Sequence, residues 1–433
     1  MSGVELFARG RLAELRAETL GRLFDRTPAD DQDVISRVGT ILATVRDRGD
    51  AALLEMAREF DGVELDGLEV PESEWASAVE ALEPTVRDAL QRAADNIRTF
   101  HAAQIPDPIA LDIEDGVRIS RLWTPLERVG VYAPGGTAAY PSSVLMGVVP
   151  AKTVGVGEVV VCSPPGPTGR PPPEVLAACA ISGADRLFAL GGAGAVAALA
   201  YGSESVQRTD AIVGPGNKWV TEAKRQVAGR VMIDSPAGPS EVLVIADDSA
   251  DARLVAHELM AQAEHDPDAA CAVVTTSSDL ADSVERELAR QLDAAQRADV
   301  VRSSLASWGA IVLVDTADEA IEFAERYAPE HLSVMTTNAL EDAKRVRTAG
   351  TTFVGHSASV AFGDYLTGAN HVLPTSGRAR SFSGLSSHHF LRSFTIQEID
   401  ALGAASMADD VAVLAEAEGL PAHAAAALAR RAS

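Results

Sequence analysis

The chain is poor in lysine, cysteine and aromatic side chains, and it carries no excess of positive charge. Lysine stands only at positions 152, 218, 224 and 344, so 33 of the 37 basic residues are arginine. Against these stand 62 Asp and Glu, a formal net charge of −25. No basic surplus is available to neutralise phosphates, which argues against nucleic-acid binding. An acidic, lysine-poor surface suits a protein that stays soluble at high salt, where self-repulsion is screened. A GC-rich genome would give the same arginine bias. The three cysteines, Cys162, Cys179 and Cys271, have no metal or redox spacing, and an odd number opposes a disulfide framework. Each lies in an apolar run and reads as a buried thiol. The longest apolar stretch, 144–162, is broken by Pro150, Lys152, glycines and Glu158, which excludes a membrane span. The N-terminus alternates acidic residues with arginines and lacks an apolar core, so no signal peptide is apparent. A cytoplasmic enzyme is the expectation, and 433 residues imply two or more domains.

What is present is alternation of strand and helix. Strand-like runs at 128–133, 158–162, 186–190 and 210–213 are separated by helix-like stretches at 142–153, 173–182 and 193–201. The pattern resumes with strands at 241–246, 270–275, 310–314, 331–335 and 352–354, between helices starting near residues 252, 279, 317 and 339. Such spacing predicts βαβ units and parallel sheets covered on both faces. The fold class is therefore α/β, with two parallel-sheet domains joined near residues 236–240. The Pro-rich stretch 163–173 connects a strand to a helix and is too short for a domain linker. No Gly-x-Gly-x-x-Gly opens a strand-to-helix turn, and Gly191-Gly192-Ala193-Gly194 lacks the third glycine, so the ordinary dinucleotide fingerprint is absent.

Several polar residues could carry chemistry. Gln262 and His265 sit three apart at a helix end, so both side chains leave one face. With Asp364 and His423 downstream, they offer amide oxygen, imidazole and carboxylate, a set that suits zinc or a similar divalent ion. A solvated helix end is the competing reading. Glu330-His331 falls at a helix-to-strand junction, where a loop can present both to a cleft. Histidine can take a hydroxyl proton near neutral pH, and a carboxylate can orient an attacking water. Ser240 and Asn217 also suit turn chemistry, and His371 suits a satisfied loop histidine. His388 and His389 are adjacent and would point to opposite faces of a strand, a poor chelate. His101, His257, His356, His388 and His389 receive no role, and Lys224 and Arg225 read as solvated helix residues.

A series of segments, in order along the chain, resembles the histidinol dehydrogenase family. They are Val131-Tyr132-Ala133-Pro134-Gly135-Gly136 with Tyr140-Pro141-Ser142-Ser143, Gly214-Pro215-Gly216-Asn217, and Ala237-Gly238-Pro239-Ser240-Glu241. Gln262-Ala263-Glu264-His265, Ala328-Pro329-Glu330-His331-Leu332, Gly363-Asp364-Tyr365, Asn370-His371-Val372-Leu373-Pro374-Thr375 and Leu420-Pro421-Ala422-His423 complete the series. The resemblance implies oxidation of L-histidinol through L-histidinal to L-histidine, with reduction of two NAD. It implies zinc held by Gln262, His265, Asp364 and His423, and catalysis by Glu330 and His331. Substrate would also meet Ser240, His371 and Glu418. NAD would meet Tyr132 and Asn217, while Gly194 stands where the family has a glutamine. The implied architecture is two Rossmann-like domains, one inserted in the other, with small helical N- and C-terminal appendages. Residues 1–25 would form the helical N-terminal segment. Residues 26–130 with 241–385 would form the domain bearing metal and catalytic groups, and 131–240 the inserted NAD-side domain. The helical tail 386–433 would cross to a second copy, so that a homodimer shares its active sites. Two rivals are a paralogous dehydrogenase of another small alcohol, which Gly194 keeps open, and a metal-dependent hydrolase. The hydrolase is opposed by the lack of His-Glu-x-x-His or of a second carboxylate cluster.

Overall fold

The computed structural model describes residues 4–27, 31–135, 139–235 and 238–431. Two parallel sheets dominate. The five-stranded sheet runs, in spatial order, Arg186–Ala189, Glu158–Ser163, Arg128–Tyr132, Ala211–Val213 and Met232–Ile233. Numbered along the chain this is order 3-2-1-4-5, in which winding reverses between the first and fourth strands and opens a crevice at the carboxyl ends. The six-stranded sheet runs Ala8–Arg11, Gly309–Leu313, Ala270–Thr275, Glu241–Ala246, His331–Met335 and Thr351–Val354. Apart from its first strand it repeats the same order. The central strands are buried along both faces, as all six residues of Glu241–Ala246 and of Ala270–Thr275 show. Burial on both sides is why they appear in the sequence as unbroken apolar runs. The helix Pro173–Ser182, between the strands Glu158–Ser163 and Arg186–Ala189, starts on proline and ends at Gly183, whose φ of 81° supplies the left-handed cap. The junction expected near residues 236–240 lies partly outside the described residues.

Three departures from the expected organisation matter. The N-terminal segment is not wholly helical: Ala8–Arg11 adds an edge strand beside Gly309–Leu313 before the helix Ala17–Phe24. The C-terminal segment is not wholly helical either. Leu391–Ile399 pairs antiparallel with Val117–Pro125, which pairs in turn with Ile109–Glu114. That hairpin turns at Asp115-Gly116, with Gly116 at φ 79°. Finally, helices in 26–130 pack on the five-stranded side, not with the 241–385 sheet. Gln32–Met56 lies on Gly192–Tyr201 and Lys218–Val227, Glu72–Ala81 on Pro173–Ser182, and Pro84–Ala102 on Pro141–Thr153. Val34, Val38, Leu42 and Val45 thereby join one core cluster with Val160 and Leu199.

The tail ends in two helices, Ala401–Ala417 and Pro421–Leu428, packed against each other through Ala412, Ala415 and Ala424. Leu402, Val413 and Leu414 on it are 62–66% exposed. No helix among the described residues is long and apolar enough to cross a membrane.

Candidate active site

The polar centre forms at the amino ends of two neighbouring strands, Glu241–Ala246 and His331–Met335. The helix Ala317–Tyr327 stops at Ala328, whose φ of 50° is left-handed, and Pro329 turns the chain into the second strand. Glu330 and His331 are thus delivered to the sheet edge and are 5% and 4% exposed. The Glu241 backbone brackets them. Its N–H donates to Glu330 Oε2 at 2.7 Å, and its carbonyl lies 3.0 Å from His331 Nδ1. A carbonyl only accepts, so Nδ1 carries a proton. His331 Nε2 has no hydrogen bond and sits 3.5 Å from Asp364 Oδ1. Glu330 Oε2 is 3.5 Å from His331 Nδ1. Burial pushes the Glu330 carboxyl up to about 8. Burial works against the charged imidazole of His331, but Glu330 and Asp364 outweigh it and raise the group above the usual imidazole range.

Asp364 comes from the helix Val360–Tyr365, which is tied to the helix Ala252–Ala263 where Val360 N–H donates to Glu258 Oε2 at 2.9 Å. Glu258 and Gln262 share one face of their helix, and Val360 and Asp364 share one face of theirs. Gln262 is buried, and His265, just beyond the helix end, is exposed. Burial alone would raise the Asp364 carboxyl, but His331, His371 and His265 around it hold it low. His371 Nδ1 donates to the Asp364 carbonyl at 2.8 Å, and its own burial keeps its imidazole below the usual range. Gly363 is needed for this approach, because a Cβ there would stand 2.4 Å from the Phe353 ring, which neighbours His331. Ser240 is half-buried, and its carbonyl accepts from Ala270 N–H. His423 and Glu418 are exposed on the tail. Among the described residues no group of three His, Cys, Asp or Glu gathers closely enough to hold an ion. Within one chain, then, the expected ligand set lacks its tail member.

A cavity of about 460 Å³ opens at the carboxyl ends of the five-stranded sheet, lined by Tyr132, Gly191, Gly194, Asn217 and Trp219 among others. Tyr132 ends the first strand, and its hydroxyl accepts from Gly192 N–H at 3.2 Å. Asn217 does serve turn chemistry: its Oδ1 caps the helix Lys218–Val227 by accepting from Trp219 and Val220 N–H. Its amide nitrogen is left for the cavity. Gly194 lies in the first turn of the helix Gly192–Tyr201, facing Met56 and Leu53.

Lys224 overturns its reading as a solvated residue. It is 5% exposed, its Nζ donates to the Gly214 carbonyl at 3.0 Å, and it pairs with Asp234. Asp234 Oδ2 accepts from Gly214 N–H at 2.8 Å. Gly214 has φ 114°, and a Cβ there would meet the Tyr132 carbonyl at 2.1 Å, so lysine and aspartate together clamp a turn only glycine can make. In the sequence, the polar periodicity of 218–227 hid this.

The family model for histidinol dehydrogenase matches residues 24–431. The chain belongs to the histidinol dehydrogenase family. It is 46% identical over 414 residues to a histidinol dehydrogenase of Methanosarcina mazei, covering 93% of this chain and 95% of that protein. One from Halobacterium salinarum is 47% identical over 420 residues, covering 97% and 98%. One from Streptomyces avermitilis is 45% identical over 427 residues, covering 96% and 97%. The crystal structure of histidinol dehydrogenase from Elizabethkingia anophelis superposes with a TM-score of 0.93 at 32% identity, covering 99% of this chain and 98% of that one. Membership in this family agrees with the α/β architecture and sets the frame in which the two sheet edges acquire chemical meaning.

Proposed function

We propose that this chain is a zinc-dependent, NAD-linked histidinol dehydrogenase that oxidises L-histidinol through L-histidinal to L-histidine, completing histidine biosynthesis in the cytoplasm. The observation that carries the reading is the buried Glu330–His331 pair, bracketed by the Glu241 backbone and facing Asp364. His331 would take the proton from the carbinol oxygen, a contribution of about 10²–10⁴-fold in rate. Glu330 would orient the water that attacks the aldehyde carbon, and its burial keeps that water from exchanging freely with solvent.

The residues suit the two implied groups. His265 and Asp364 lie in one neighbourhood, where the carboxylate is held ionised by its histidine neighbours, and Gln262 would add an amide oxygen from the helix that ends just before His265. His423 would supply the fourth ligand, with Glu418 and Ser240 contacting substrate beside His371. Zinc, when bound, would hold the substrate's imidazole and amino nitrogens and so fix its orientation. For NAD, the cavity lies at the winding reversal of a 3-2-1-4-5 sheet, the usual seat of a dinucleotide, and Tyr132 and Asn217 line it. The nicotinamide, when bound, would accept the hydride of each oxidation.

The tail supports the reading of a homodimer. Its helices leave large apolar side chains exposed while carrying His423 and Glu418, so crossing to a second copy would cover the one and deliver the other. Gly194 favours one second reading, a dehydrogenase of the same scaffold acting on another small alcohol. Incubating the purified protein with histidinol and NAD separates the two: two NADH per histidine supports the assignment, and no NADH removes it.

A further inference from the structure

Behind the Glu330–His331 pair lies a buried ion pair that takes no part in the chemistry above. The side chains of Arg26 and Glu241 are 3% and 2% exposed, and they meet in a two-pronged contact, Nε to Oε1 and Nη2 to Oε2, each 2.9 Å. Arg26 uses its other donors on backbone. Nη1 donates to the Leu23 carbonyl at 2.6 Å and Nη2 to the Tyr327 carbonyl at 2.9 Å. Its guanidinium carbon stands 3.5 Å from the centre of the Tyr327 ring. Glu241 Oε1 accepts a further bond from Ser376 N–H at 2.8 Å. Ser376 and Ala328 are the two non-glycine residues with positive φ among the described residues, and both flank this pair.

Stability alone does not explain such an arrangement. Desolvating two charges offsets most of their attraction, and an apolar pair of similar volume commonly holds a core as well or better. An apolar pair could not fix backbone atoms in three segments at once. One of those segments carries both reacting groups, and Glu241 itself brackets them. Glu241 holds Glu330 through its N–H and His331 through its carbonyl, while its own side chain is locked by Arg26. The Tyr327 carbonyl, also held by Arg26, opens the turn Ala328-Pro329 that delivers Glu330 and His331. Arg26 thus fixes the bracket and the base of the bracketed loop together.

We propose that Arg26 and Glu241 are a positioning pair whose task is to set Glu330 and His331, making the segment before residue 28 a working part of the active site. The proposal rests on the reading of Glu330 and His331 as the catalytic pair. Planarity matters here, since only the guanidinium fork can serve both carboxylate oxygens and two carbonyls.

The test compares Arg26→Met/Glu241→Leu, Arg26→Lys and His331→Asn with the parent enzyme in the histidinol–NAD assay. The double variant is expected to fold with a lowered melting temperature, because the Leu23 and Tyr327 carbonyls and the Ser376 N–H lose their partners, and to keep the KM for histidinol and for NAD within about twofold. Its kcat should fall about 10- to 100-fold, the usual consequence of loosening the shell around reacting groups. Arg26→Lys keeps the charge and loses the fork, and should lose kcat in the same direction by a smaller factor. A merely structural pair would lower melting temperature and leave kcat per folded molecule unchanged. Unchanged kcat in the folded double variant would overturn the proposal. Should the double variant not fold, unchanged kcat in folded Arg26→Lys would overturn it equally. Full activity in His331→Asn would instead remove the catalytic reading, and the positioning role with it.

Discussion

Replacing Gly194 tests how the cofactor side of this chain copes without the glutamine that the family resemblance places there. Gly194 has no left-handed backbone to protect and lies within the helix Gly192–Tyr201. Gly194→Ala should therefore recover the entropic cost of a helical glycine, about 0.5–1 kcal/mol. Part of that gain is lost, because the new Cβ would stand 3.3 Å from Met56 Sδ and 3.5 Å from Leu53 Cδ2. A thioether end yields easily, so the balance should stay on the stabilising side. Alanine adds no polar atom, and NAD affinity should not change. Gly194→Gln adds an amide to a position that lines the cavity. One hydrogen bond there is worth about 0.5–1.5 kcal/mol, which tightens NAD about 2- to 10-fold. Thermal melting and calorimetric titration with NAD read the two effects separately. If glutamine weakens NAD while alanine leaves it unchanged, the side chain cannot clear Met56, and the cavity has been remodelled around glycine.

Four further outcomes are expected. Mixing inactive His423→Ala with inactive His331→Asn should restore turnover through hybrid dimers holding one intact site, and hybrids as inactive as their parents would show that each chain uses its own tail. Chelation should abolish turnover yet leave far-ultraviolet circular dichroism unchanged, since the sheet cores form without the proposed ligands; full turnover after chelation would refute the metal's role. Lys224→Met should destabilise by about 3–5 kcal/mol in denaturant titration, because Asp234 would stay buried without its partner, and Lys224→Met with Asp234→Leu should recover most of the loss. His101 is wholly buried and its imidazole is depressed to about 4 by burial. The unfolded chain therefore binds more protons between pH 6.5 and 4, and stability must fall as pH drops through that window, by at most about 3 kcal/mol from this group. Urea midpoints across pH 7 to 4 should show a shallower acid loss in His101→Gln than in the parent.

The parts of the fold legible in the sequence were those whose partners are close in the chain or whose burial is complete. Glu241–Ala246, Ala270–Thr275 and Pro173–Ser182 match the apolar runs and their Pro and Gly punctuation residue for residue. Ala8–Arg11 gave no such sign, because an edge strand with one buried residue in four has no apolar pattern, and its partner is Gly309–Leu313. In the antiparallel sheet the local signals existed, in the alternation of Ile109, Leu111 and Ile113 and in Asp115-Gly116. Its third strand, Leu391–Ile399, lies too far along the chain for pattern alone to pair it. The same limit governs the site. Glu330-His331 at a helix-to-strand junction was legible. Arg26 and Glu241, 215 positions apart, were not, and neither was the burial of Lys224 beneath Gly214.

The two sheets share one strand order, but the proposed sites lie at opposite ends of them, and the helix ends there differ in polarity. At the carboxyl ends of the five-stranded sheet the helices Gly192–Tyr201 and Lys218–Val227 present their amino termini, where free N–H groups and the positive dipole end suit phosphates. At the amino ends of the six-stranded sheet the helices Ala252–Ala263 and Ala317–Tyr327 present their carboxyl termini. Free carbonyls and the negative dipole end there suit cations. Arg26 on the Tyr327 carbonyl is an expression of that polarity within the chain. A dinucleotide is anionic, whereas a divalent ion and an amino alcohol with an imidazole are cationic or readily so. On the proposed function, a catalyst joining the two needs one edge of each kind. On that proposal, opposite ends of two sheets with one strand order supply both edges, with Glu330 and His331 at the start of a strand and Tyr132 at the end of its own.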